Sequence, residues 1–203
     1  RYPRGAAVAS VVAQPEPAPR LGHAIFDWSG GERGFDRPLD RAFVAVQRRT
    51  PNGWRRVDSD LGLRIQWLVS DDGQYRARWE PPVAARTGRH RFVVTANRYR
   101  LRSKGFSLRR SRELNARLVR SGGGRAVIEL RYPRAVEDED LTWRPRRAVI
   151  AAVPSVRGAQ ATLRNGGRRL LVEGRAGRTV TVRRGALRDR HGNVNGNRLE
   201  IGL

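Results

Sequence analysis

A two-residue alternation over residues 63 to 80 constrains this chain more than any other feature. Leu63, Ile65, Trp67 and Val69 alternate with Arg64, Gln66 and Ser70. Tyr75, Ala77 and Trp79 alternate with Gln74, Arg76, Arg78 and Glu80. This is the period of a strand with one dry face and one wet face. Asp71, Asp72 and Gly73 lie between the two runs, and residues of this kind accept the positive φ of a hairpin turn. The large rings then fall on the dry faces, where they dominate what a small sandwich can bury. Pro81 and Pro82 end the second strand because neither can donate to a ladder. Gly88 opens the next strand, expected at Arg91 to Ala96.

The same pattern extends in both directions. Ala6 to Ala13 is a short apolar strand candidate. The QPEPAP that follows favours an extended, exposed connection. Ala24 to Trp28, Ala42 to Arg48, Trp54 to Val57 and Gly105 to Leu108 read as further strands. Ser29 to Asp40 is a loop rich in Gly, Asp and Pro, and Thr50 to Gly53 a turn. No segment shows a helical period. About eight short strands with regular turn signals favour a β-sandwich over residues 1 to 112. The pattern restarts after Ser111 to Asn115. A second small all-β domain, residues 113 to 203, is expected from Ala116 to Arg120, Ala126 to Tyr132, Arg147 to Val153, Ala161 to Arg164, Leu170 to Val172, Thr179 to Arg183 and Leu199 to Leu203. Ser121 to Gly124 and Asn165 to Gly167 read as hairpin turns.

Composition narrows the function. The chain has no cysteine and no methionine, which excludes disulfides, thiolate metal sites and cysteine nucleophiles. No run approaches the roughly 18 apolar residues of a membrane helix. A start at Arg1 without a leader reads as a processed or excised chain. The net charge is +23, and Lys104 is the single lysine. Such charge suits a polyanion such as nucleic acid, an anionic lipid surface or an acidic polymer. It also follows from GC-rich coding, which favours arginine, together with tolerance of solvated charge. The arginines are spread along the chain, many on wet strand positions such as Arg64, Arg76 and Arg78, and the second explanation is preferred. No segment concentrates them as a groove-reading element would, so nucleic acid is not an expected partner. Arg109, Arg110 and Arg112 form the densest cluster and read as a linker.

Few residues invite chemistry. His23, His90 and His191 lie far apart without partners at metal-ligand spacing, and HExxH, GxSxG and GxxxxGK[ST] are absent. His90, two residues after Gly88, reads as a corner residue bonding nearby backbone. Asp189 to Asn197 gathers oxygen donors that could hold calcium, but one carboxylate and the wrong spacing favour a Gly/Asn turn. Glu137 to Asp140 form an acidic run, read as a solvated loop. No catalytic, cofactor-binding or metal-binding residue is assigned, and no cofactor is expected in this chain.

The first unit nevertheless resembles a known family. VVAQPEPAPRLGHAIFDW (Val11 to Trp28), RAFVAVQRRTPNGWRRVDSD (Arg41 to Asp60), Ile65 with Trp67, RWEPP (Arg78 to Pro82) and TGRHRFVVTANRYRLRSKGFSL (Thr87 to Leu108) are similar, in that order, to the immunoglobulin-like C-terminal domain of neutral/alkaline non-lysosomal ceramidases. The resemblance covers residues 5 to 108. His23 stands where the family tends to have Asp, and His90 where it tends to have Tyr. Ser29 to Asp40 lacks the family's Pro-Arg-Asn segment. The second unit has no counterpart in well-known members; LTWRP (Leu141 to Pro145) and DRHGN (Asp189 to Asn193) are similar to segments of bacterial Ig-like domains. The resemblance implies that the sandwich of residues 1 to 112 is an immunoglobulin-like β-sandwich. It also implies a parent amidohydrolase that splits N-acylsphingosine into sphingosine and fatty acid, with a zinc-activated water in a separate N-terminal domain. This chain would be an accessory region that packs on that domain, outside the cell or on the surface of a bacterium. An anionic membrane surface is a further partner it admits. The alternative is a basic tandem Ig-like module for an anionic membrane, nucleic acid or cell-wall polymer.

Overall fold

A computed structural model describes residues 10–29, 42–62, 64–69, 74–96, 99–133 and 147–203. The chain forms two compact units, Arg1–Arg109 and Arg110–Leu203. The described residues of both are strands, turns and irregular segments.

The first unit contains β1 (Val11–Ala13), β2 (Ala18–Pro19), β3 (Ala24–Ser29), β4 (Ala42–Thr50), β5 (Gly53–Ser59), β6 (Ile65–Val69), β7 (Gln74–Trp79), β8 (Gly88–Ala96), β9 (Tyr99–Arg102) and β10 (Phe106–Arg109). One sheet runs β1-β3-β7-β6; the other runs β2-β10-β8-β4-β5, with β9 also on β8. In immunoglobulin lettering these are A-B-E-D and a G-F-C-C′ sheet. The first unit is therefore an immunoglobulin-like β-sandwich. The proline-rich connection, expected to be extended and exposed, contributes β2, which pairs parallel with Leu108 and Arg109. Pro19 is tolerated there because β2 lies at the edge of its sheet. Ser103 interrupts the last strand between β9 and β10. Its Oγ accepts from Phe92 N at 2.9 Å and donates to Lys104 O at 2.8 Å, so the break leaves no orphan donor.

The expected dry faces meet between the sheets. Phe26, Trp28, Ile65, Tyr75, Ala77, Trp79, Phe92 and Phe106 are buried, and Trp67 is half-buried against them. Their rings form a continuous row: Trp67 and Tyr75 on Trp28 (5.2 and 5.9 Å), Trp28 on Phe26 (5.4 Å), Phe26 on Phe92 (5.7 Å), Phe92 on Phe106 (5.6 Å) and Phe106 on Trp79 (6.3 Å). Contacts at these distances add to the area the rings bury. The Asp71–Gly73 turn and most of the Ser29–Asp40 loop lie outside the described residues.

The second unit contains β11 (Asn115–Gly122), β12 (Arg125–Arg131), β13 (Gln160–Arg164), β14 (Arg169–Glu173), β15 (Thr179–Val182) and β16 (Leu199–Gly202). The first four form a sheet of order β11-β12-β14-β13, and β15 pairs with β16. Ile128, Leu130, Leu170, Val172, Leu187 and Ile201 are among its buried side chains. The β13–β14 turn holds Asn165, Gly166 and Gly167 at φ of 52°, 61° and 81°. A Cβ on Gly167 would lie 2.7 Å from Ile150 O, so glycine is required there twice over. The strand expected at Arg147 to Val153 does not form as one. Its backbone bonds are divided among Leu130 O (from Ala148), Gly167 O (from Ile150) and Arg188 O (from Ala151), so no single neighbour supplies a ladder.

Candidate functional site

The most organised polar feature of the first unit lies inside its sandwich. Between β4 and β5 the register slips, so that Val46 pairs with Asp58 and Gln47 with Arg56. The extra residue, Val57, is a β-bulge, which re-aims the side chains beyond it. Simple alternation from the outward Arg56 would send Asp58 outward. The bulge turns Asp58 and Asp60 inward, beside the buried Val46 and Val44. Asp58 accepts from Trp79 Nε1 at 2.8 Å and from Ser59 N at 2.9 Å. Asp60 Oδ2 accepts from Trp67 Nε1 at 3.0 Å and from Val44 N at 2.6 Å. Two indoles of one sheet are thus tied to two carboxylates of the other. Every one of these bonds runs from a donor to an ionised acceptor, the stronger kind. The arrangement positions the two rings.

The three histidines stay apart. His23 is exposed. His90 is buried near the start of β8, with Nδ1 3.0 Å from Gly88 O and its ring 5.5 Å from Trp79 and 6.0 Å from Phe106. This is the corner contact read from the sequence. Burial pushes its imidazole below the ordinary value, against a smaller upward pull from Gly88 O, and Arg48 lowers it further. His191 is half-buried; its Nε2 accepts from Arg190 Nε at 3.0 Å.

In the second unit the Asp189–Asn197 segment is a closed turn. Asp189 is buried, and its Oδ1 accepts from His191 N and Asn193 N at 2.9 and 2.8 Å. Its Oδ2 accepts from Asn193 Nδ2 at 2.9 Å and Tyr132 OH at 3.3 Å. Asn195 Oδ1 accepts from Leu187 N, and Asn197 brackets Ala116 with both ends of its amide. These oxygens of Asp189, Asn195 and Asn197 are engaged by N–H and O–H donors that a cation would have to displace, whereas Asn193 Oδ1 is buried without a partner. The remaining buried acid, Glu129, lies between Arg131 Nε at 2.6 Å and Arg147 Nε at 2.8 Å. Among the described residues no three His, Cys, Asp or Glu side chains gather as a metal site. The acidic run Glu137 to Asp140 lies outside the described residues.

A surface feature was invisible in the linear pattern. On the outward side of the β10-β8-β4-β5 sheet, arginines from distant strands come into register. Arg102 pairs with Val93 and Arg100 with Thr95, Arg91 with Gln47, Gln47 with Arg56, and Arg49 with Trp54. Arg89 lies opposite Ser107. The Arg91 guanidinium is 4.2 Å from the Trp54 ring centre and donates to Gln47 Oε1 at 2.9 Å; Arg49 lies 5.8 Å from the same ring. Burial pushes Arg91 below the ordinary guanidinium value, and Arg102, Arg100 and Arg49 push it the same way. It remains charged, surrounded by like charge. None of these arginines forms an ion pair among the described residues.

The fold and these sites define a tandem all-β protein whose first unit is immunoglobulin-like. No family model and no curated protein matches the chain. Among solved structures it is similar to the titin domains Z1Z2 in complex with telethonin, at 13% identity over 87% of this chain and 88% of that one, with a TM-score of 0.35. It is also similar to Titin-A168169, at 10% identity over 97% and 98%, with a TM-score of 0.38.

Proposed function

We propose that this chain is the non-catalytic accessory region of a ceramidase-like amidohydrolase, supporting a separate zinc-bearing domain that hydrolyses N-acylsphingosine. One observation supports the reading. Among the residues of the matching stretches are Asp58 and Asp60 in the second, Trp67 in the third and Trp79 in the fourth. In space they are partners: Trp79 Nε1 bonds Asp58 and Trp67 Nε1 bonds Asp60. A pattern of separated residues that depend on one another is what a shared structural device leaves in related sequences, whereas chance matches have no reason to touch. The test is the reading frame upstream of Arg1 together with an assay of this chain. A zinc amidohydrolase region encoded before Arg1, and no fatty acid released from N-acylsphingosine by the purified 203-residue chain with zinc, are the expected results. A frame that encodes no such region, or hydrolysis by this chain alone, overturns the proposal.

The arginine-lined sheet face favours a second reading, a basic binding module for a polyanion. It is compatible with the first, since a basic accessory region would bring a lipid enzyme to its membrane.

A further inference from the structure

We infer that the outward face of the β10-β8-β4-β5 sheet docks on an anionic phospholipid bilayer. The inference deepens the second reading above and stands independently of the ceramidase reading.

Charge is the first argument. Arg49, Arg56, Arg89, Arg91, Arg100 and Arg102 occupy outward positions of β4, β5, β8 and β9. No outward position of those strands carries a carboxylate among the described residues, because Asp58 and Asp60 are turned into the sandwich. A structural role for so many arginines would show ion pairs, as Arg76 does with Asp27 on the other sheet at 2.7 Å. Here Arg89 spends one N–H on Gly105 O, Arg91 one on Gln47, and no carboxylate among the described residues neutralises the group; a phosphodiester matches the geometry of the remaining donors.

Apolar exposure selects the bilayer over other polyanions. Phe43, on the outward side of β4 opposite Thr95, is 41% exposed. Leu61 follows Asp60, which is bonded to Val44, and so sits at the same end of the sheet; it is 89% exposed. A nucleic acid or an acidic polysaccharide offers such a leucine nothing. A bilayer accepts it into the headgroup–acyl boundary, where apolar contact and attraction to anionic lipid add. Trp54 already holds Arg91 on its ring, so it is not a free platform for stacking bases.

The experiment is co-sedimentation of the 203-residue chain with phosphatidylcholine vesicles and with mixed phosphatidylcholine–phosphatidylglycerol vesicles. Binding is expected only to the mixed vesicles, weakening steeply with salt. Arg91→Gln with Arg102→Gln should weaken it by about fivefold for each arginine removed. Leu61→Ser should weaken it without changing the salt dependence. The charge-matched control, Arg117→Gln with Arg120→Gln on β11, removes two exposed arginines of the other unit and should leave binding near that of the parent. Circular dichroism establishes that each variant is folded. Equal loss in the control overturns the proposal, because binding would then follow net charge alone. So does an unaffected Leu61→Ser. Absence of vesicle binding overturns it too; if a single-stranded oligonucleotide is then bound, the polyanion reading survives with a different partner.

Discussion

Asp60→Ala is the sharpest test of the indole–carboxylate device. The substitution removes one oxygen that serves two donors, Val44 N at 2.6 Å and Trp67 Nε1 at 3.0 Å. The two losses differ. Val44 is 0% exposed, so its N–H cannot turn to water, and a buried donor left unpaired costs about 1–3 kcal/mol. Trp67 is only half-buried, and water can replace part of its bond. The sum is about 2 kcal/mol, or about 10 °C in Tm for a unit of this size. Asp60→Asn separates acceptor from charge. Both donors converge on Oδ2, while Oδ1 is buried without a partner, so an asparagine keeps both bonds, forfeits the charge assistance, about 1 kcal/mol or less, and sets its N–H₂ where an unpaired oxygen already stands. The assay is urea unfolding followed by tryptophan fluorescence. Trp28, Trp54, Trp67 and Trp79 lie in the first unit and only Trp143 in the second, so the signal reports mainly the sandwich. Trp67→Phe, alone and combined with Asp60→Ala, completes a double-mutant cycle, with an expected coupling of about 1 kcal/mol. The reasoning is refuted if Asp60→Ala changes stability by less than about 0.5 kcal/mol, the level of an ordinary surface change. It is refuted as well if Asn is no better than Ala, since charge and not an acceptor would then hold the site.

Two further outcomes follow from buried groups. Asp189→Ala removes the oxygens that serve His191 N, Asn193 N and Asn193 Nδ2, so it should lower the stability of the second unit by about 2 kcal/mol; calcium should not restore it, and a rise in the parent's Tm with calcium would show that the turn is a cation site. His90 has a folded pKa below its unfolded value of about 6.5, so the unfolded chain binds more protons as the pH falls and stability should drop from about pH 6.5 downward. Urea midpoints across that range should decline for the parent and less steeply for His90→Phe; identical slopes would remove His90 as the cause.

What was legible in the residues depended on how local its cause was. Alternation is local, so the strands carrying Trp67, Tyr75 and Trp79 and their inward faces could be read directly. The glycine-rich turns were legible for the same reason, since Asn165 to Gly167 need no distant partner to favour positive φ. The closed state of the Asp189 turn was not, because one of its donors, Tyr132, comes from 57 residues away. The Arg147–Val153 segment failed as a strand because its bonds depend on three separate neighbours.

The bulge at Val57 links the core to the surface. Its presence cannot be read from β5 alone, because a bulge is a relation between two strands. Yet it decides where two of the nearest negative charges go. Without it, Asp58 would stand on the outward face opposite β4, among Arg49, Arg56 and Arg91, and would neutralise part of that field. With it, Asp58 and Asp60 are spent on Trp79 and Trp67, and the arginines outside keep their charge. The dispersal of arginine along the chain therefore says little about its concentration in space. Strand pairing brings positions 49, 56, 91, 100 and 102 onto one surface, while the same pairing withdraws the acids that a linear count sets against them. Composition sets the excess charge of the whole chain, +23, and register sets where in this unit that charge is concentrated.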